Sequence, residues 1–66
     1  MEAGETKIEM LQRHVREGAA HVAKQRALIA RLRARGLPFE EAESLLVTFE
    51  ASQQQHEAHL AAAERA

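Results

Sequence analysis

Between Arg35 and Phe39 the chain reads Gly-Leu-Pro, and its charge changes sign across that step. Residues 5–35 carry eight Lys or Arg against three Glu, a net +5; residues 37–66 carry six Glu against one Arg, a net −5. Glycine can take the left-handed conformation that closes a helix, and proline suits the first turn of the next one. Glu40, Glu41 and Glu43 follow at once, where the positive end of a helix dipole favours anions. A cationic arm and an anionic arm joined by a tight corner should fold back on each other. The step therefore predicts the bend of an antiparallel two-helix hairpin.

The helices themselves are predicted from capping and periodicity. Thr6-Lys7-Ile8-Glu9 has the form of a capping box, placed just before an apolar periodic run. Helix 1 is expected over about 7–35, a turn over 36–38 with an apolar contact of Leu37 on Leu32, and helix 2 over about 38–64. In helix 1 the a positions of a heptad are Ile8, Val15, Val22 and Ile29, and the d positions are Leu11, Gly18, Gln25 and Leu32. In helix 2 the seam reads Ala42, Leu46, Phe49, Gln53, His56, Leu60 and Ala63. Folding at the elbow is expected to pair residues whose numbers sum to 74 or 75. Gln25 would then meet Phe49, Gly18 would meet His56 and Leu11 would meet Ala63.

The two flanks of this seam differ. On one, Glu43 should lie near Arg33 and Glu50 near Arg26. On the other, Leu28 faces Leu45, His21 faces Ser52 and His14 faces His59, a strip that is uncharged when the histidines are neutral. A chain of 66 residues buries too little apolar surface to be comfortably stable alone, and without cysteine it has no disulfide or thiolate zinc site to help. A partner subunit is the simplest remedy. The expected fold is all-α: a single-domain hairpin spanning 1–66 that dimerises along Leu28, Leu45, His14, His21 and His59 into a four-helix bundle. Its core seam is formed by Ile8, Leu11, Val15, Val22, Ile29, Leu32, Leu46, Phe49 and Leu60.

Residues that carry chemistry are few. His56 and His59, at i and i+3, share a helix face and with nearby His14 form a weak candidate for histidine-based metal binding. His14 and His21 are two turns, roughly 10 Å, apart, too far to share an ion readily. Protonation of these histidines in mild acid would place like charges across the hairpin. Gly18 leaves room for the His56 ring or for close helix approach. Gln25 and Gln53 interrupt the seam as polar residues that specify pairing. Lys24 and Arg31, on the outer face, are the possible nucleic-acid contacts. Against that stand the engaged Arg26 and Arg33, a net charge of −1 and the lack of an aromatic stacking platform. No catalytic constellation, glycine-rich phosphate loop or cofactor motif is present in the sequence. The N-terminus has no secretory signal pattern, and no stretch approaches the ~18 apolar residues of a membrane span, so a cytoplasmic, non-membrane protein is expected.

The segments H-V-R-E-G (14–18), Q-R-A-L-I-A-R-L-R (25–33), L-L-V-T-F-E (45–50) and H-E-A-H-L (56–60) resemble a pattern shared by short bacterial helical-hairpin proteins. That resemblance spans residues 14–60 and implies a natural bacterial protein; it brings no activity with it. In architecture alone the expected dimer is similar to Rop, the plasmid copy-number RNA-binding protein. The expectation is a non-enzymatic self-association and protein-interaction or regulatory module. The alternatives are a Rop-like RNA-binding regulator and a histidine metal-binding protein.

Overall fold

A computed structural model describes residues 4–66; the first three residues of the predicted domain lie outside the described residues. Two helices account for the fold: α1, Lys7–Ala34, and α2, Glu40–Arg65. They pack on each other as a hairpin, 52 × 26 × 13 Å in extent.

Each end of α1 is closed as its sequence requires. The Thr6 hydroxyl accepts from the Glu9 N–H at 3.1 Å, and Glu9 Oε1 accepts from the Thr6 N–H at 2.9 Å, so the box satisfies two otherwise orphaned donors. At the other end Gly36 has φ +67°. That turn lets the Gly36 N–H reach Arg33 O at 3.1 Å and the Leu37 N–H reach Leu32 O at 2.9 Å, the paired bonds of a Schellman closure. The Leu37 backbone returns to Leu32, while its side chain, expected to make an apolar contact there, is 46% exposed.

Helix 2 starts two residues later than expected. Phe39, not Pro38, borders it: Phe39 has φ −132° and ψ 4°, and its carbonyl accepts the first helical bond, from the Glu43 N–H at 2.9 Å. Pro38 stands outside the helix, one residue before that cap. Phe39 has no side-chain oxygen to cap with, and Glu40 Oε1 accepts from the Phe39 N–H at 3.2 Å. The Arg33 guanidinium lies 4.4 Å from the Phe39 ring centroid, a cation–π contact that holds the connection against α1.

The heptad positions are the protected ones. Leu11, Val22, Gln25 and Ile29 are buried, and the other predicted seam residues, Ile8, Val15, Leu32, Leu46, Phe49 and Leu60, are half-buried. The expected pairing is met in part. Gly18 faces His56 as expected, with Gln53 beside it, and Leu11 and Ala63 line one groove while Leu32 and Ala42 line another. The rings pair differently: His14 lies beside His56 and His21 beside Phe49, residues whose numbers sum to 70. Antiparallel helices place an a position opposite a d position, which a sum near 71 satisfies, and residues summing to 74 then lie diagonally across the same seam. Phe49 accordingly meets His21, whereas Gln25 sends its carboxamide to the Ala42 carbonyl.

A feature with no expectation behind it lies at the N-terminal end. Arg13 Nε and Nη2 donate to the two carboxylate oxygens of Glu5 at 3.0 and 3.1 Å, and Nη1 donates to Glu17 at 3.3 Å. This forked pair ties the residues before the helix to its second turn. Hydrogen bonding from Arg13 holds the Glu5 carboxyl below its usual range. Its contribution to folding is therefore present above the ordinary carboxylate range and is lost as pH falls through the lowered native value.

Two tests follow directly. Nothing lies within 4 Å of a Cβ built at Gly36, so Gly36→Ala should cost only its left-handed backbone, about 1 kcal/mol in urea unfolding at fixed protein concentration. Gly36→Asn should cost less; equal stability of all three chains would contradict the turn. In a carboxyl NMR titration, Arg13→Gln should return Glu5 to the ordinary carboxylate range, and an unmoved Glu5 would show that Arg13 is not the cause.

Candidate functional site: the polar seam and the uncharged flank

The seam is closed by two carboxamides. Gln25 Nε2 donates to the Ala42 carbonyl of α2 at 2.8 Å, and Gln53 Nε2 donates to the Val15 carbonyl of α1, also at 2.8 Å. Each helix thus sends one glutamine across to the backbone of the other. A helical carbonyl has a second lone pair beyond the one used in its own ladder, so neither bond needs the helix to open. Polar seam positions were expected; their acceptors, being backbone atoms, have no signature in the side-chain pattern.

Gly18 makes the second bond possible. A Cβ there would collide with Gln53 Oε1 and lie 2.9 Å from Gln53 Cδ and 3.3 Å from His56 Cδ2. The space expected to hold the His56 ring is filled first by the Gln53 carboxamide, with His56 beside it. Gln53 Oε1 is buried and has no hydrogen-bond partner among the described residues. It lies against the Gly18 Hα that replaces a Cβ, at most a weak donor.

The charged flank matches its expectation closely. Arg26 Nη2 is 2.7 Å from Glu50 Oε2, and Arg33 Nη2 is 2.7 Å from Glu43 Oε2. These side chains are between 39% and 63% exposed, so each pair contributes little stability, ~0–1 kcal/mol, and serves mainly to set orientation. Arg26 and Arg33, two of the five cations Lys24, Arg26, Arg31, Arg33 and Arg35, are thereby engaged. Lys24 and Arg31 are exposed and form no ion pair among the described residues.

The opposite flank gathers the residues predicted to form an interface. Leu28 and Leu45 line one shallow groove with Leu32, Pro38 and Ala42, bordered by Glu40 and Glu41, so they do lie on one side of the hairpin. Leu45 is 45% exposed. Farther from the elbow, the His14 and His56 rings are 5.6 Å apart, and the His21 ring is 5.9 Å from Phe49. His14 therefore has His56 as its ring neighbour, where His59 was expected; His59 lines a separate groove with Lys7, Leu11 and Ala63. Among the described residues no group of three or more His, Asp or Glu side chains is placed to hold a metal ion, and His14, His56 and His59 are not brought together as one set. No helix among the described residues is long and apolar enough to cross a membrane.

Comparison with known proteins adds no relative: no family model matches the chain, and neither the curated proteins nor the solved structures give a significant match.

The Gly18–Gln53 fit has a signed consequence. Gly18→Ala gains about 1 kcal/mol of helix propensity but displaces the carboxamide and its bond, worth about as much. In the native background the change should be neutral or destabilising; in a Gln53→Ala background, where only His56 Cδ2 at 3.3 Å must give way, it should stabilise by up to about 1 kcal/mol. Urea unfolding of the four chains measures this, and the same gain in both backgrounds would show that Gly18 and Gln53 are not coupled.

Proposed function

We propose that the chain is a non-enzymatic helical association module, which works by packing its uncharged flank against another protein surface and so serves assembly or regulation. The observation that carries this reading is the thinness of the core. Among the described residues Leu11, Val22 and Ile29 are the buried apolar side chains, and none of them is fully buried. A two-layer hairpin has one seam, and the apolar side chains beyond it stay partly wet until something covers them. Leu28 and Leu45 occupy such positions together, on the flank that carries no ion pair.

The remaining features fit the same reading. The grooves are shallow and open, without the enclosed, water-excluding pocket that chemistry on a small substrate uses. The polar seam fixes how the two helices meet and so presents one defined surface to a partner.

Thermal unfolding followed by circular dichroism over about a hundredfold range of chain concentration tests the reading. A chain stabilised by association should melt at a midpoint that rises with concentration, or, if its partner is another protein, should be weakly folded alone at every concentration. A sharp, concentration-independent transition of high midpoint would mean that the hairpin needs no partner, and would overturn the proposal.

A further inference from the structure

The partner that best fits the uncharged flank is a second copy of the chain. We infer that two hairpins pack flank to flank with both elbows at the same end, α1 of each copy lying against α2 of the other, and Arg31 of each paired with Glu41 of the other. This inference rests on the association reading above and gives it a partner and a geometry.

Area supplies the first argument. The chain exposes 5137 Å², whereas a compact folded monomer of its 7.4 kDa mass is expected to expose about 4,200 Å². The difference, roughly 900 Å², is close to the ~800 Å² that each partner contributes to a standard stable interface.

Charge supplies the second. Arg26–Glu50 and Arg33–Glu43 lie on the flank away from Leu28 and Leu45, so the surface to be covered holds no ion pair that must be dismantled. In a four-helix arrangement with α1 against the neighbouring α2, every adjacent pair sets a net +5 arm beside a net −5 arm. Packing α1 on α1 would set like charges together.

Placement along the axis supplies the third, and it selects the end-to-end sense. The flank has an apolar half near the elbow, Leu28 and Leu45, and a polar half beyond it, His14, His21, Ser52 and His59. With the elbows together, leucine covers leucine; with the elbows apart, leucine would be laid on histidine. Arg31 is the fourth-last residue of α1, and Glu41 is the second residue of α2. Both are exposed, both border this flank on the heptad, and neither is in an ion pair among the described residues. Only the same-end arrangement brings Arg31 of one copy level with Glu41 of the other.

The test uses the full chain, whose lack of cysteine allows single labels. Light scattering gives the mass, and a spin label on Leu37→Cys gives the distance between elbows. The expected result is a dimer with a distance set by the 26 Å width of the hairpin; a distance near its 52 Å length would overturn the geometry. Leu45→Lys should weaken dimerisation at least about tenfold. Because that variant could also lose its fold, the charge exchange is the decisive companion. Arg31→Glu should weaken the dimer about fivefold, and adding Glu41→Arg should restore it. A dimer in which the exchange does not restore affinity overturns the inference and leaves the association reading standing. A monomer at all concentrations overturns the inference too, and its melting then decides the broader reading: a weakly folded monomer still calls for a different partner, and a stable one calls for none.

Discussion

The hydrogen bonds from Gln25 to Ala42 O and from Gln53 to Val15 O fix how the two helices are set against each other. A seam made only of aliphatic side chains tolerates sliding, because leucine, isoleucine and valine pack acceptably in more than one alignment. A buried carboxamide does not: shifted from its acceptor, it keeps its desolvation cost and loses its bond. The two glutamines sit on opposite helices and point in opposite senses, so a slide in either direction strands both. Gly18, an unfavourable residue in the middle of a 28-residue helix, is explained by the same requirement, since only glycine leaves space for the Gln53 carboxamide.

The rest of the molecule is arranged around that seam. The Schellman turn at Gly36 and the stacking of Arg33 on Phe39 bring α2 back at the right place, and the surface pairs Arg26–Glu50 and Arg33–Glu43 give the hairpin its sense. Because these pairs are well solvated, their energetic share is small, and a hairpin resting on them and three buried aliphatic side chains is thinly built. Concentrating the ion pairs on one flank leaves the other to be covered without dismantling them; Glu40 and Glu41, which border its groove, must stay solvated or meet a cation. In that sense the division between flanks, set by which heptad positions hold glutamate, is what makes the hairpin suited to association.

Much of this was legible in the residues. Thr6 and Glu9 announced the start of α1, Gly36 its end, and the matched charges at 26, 33, 43 and 50 named their own partners, because capping and surface pairing are local or follow heptad geometry. The pairing across the seam was legible in part: Gly18 meets His56 as folding at the elbow predicts, but level folding is a weaker guide than the a-against-d layering of antiparallel helices for the rings. His14 takes His56 as its ring neighbour instead of His59, and Phe49 takes His21. The start of α2 slipped because Pro38 favours a first turn but does not require one; the cap is Phe39, whose ring lies beneath the Arg33 guanidinium. Arg13 and Glu5, eight residues apart, meet only because the segment before the helix folds back, which no periodicity encodes. The acceptors of Gln25 and Gln53 are backbone atoms and leave no trace in a side-chain pattern.

The most direct measurement on the central claim is NMR of the glutamine side chains. If the carboxamides hold the helices in register, the Gln25 and Gln53 NH₂ protons should resist solvent exchange and give cross-helix contacts to the Ala42 and Val15 segments respectively. Freely exchanging carboxamides without such contacts would show that the seam is held by its aliphatic side chains alone, and that nothing fixes the alignment described above.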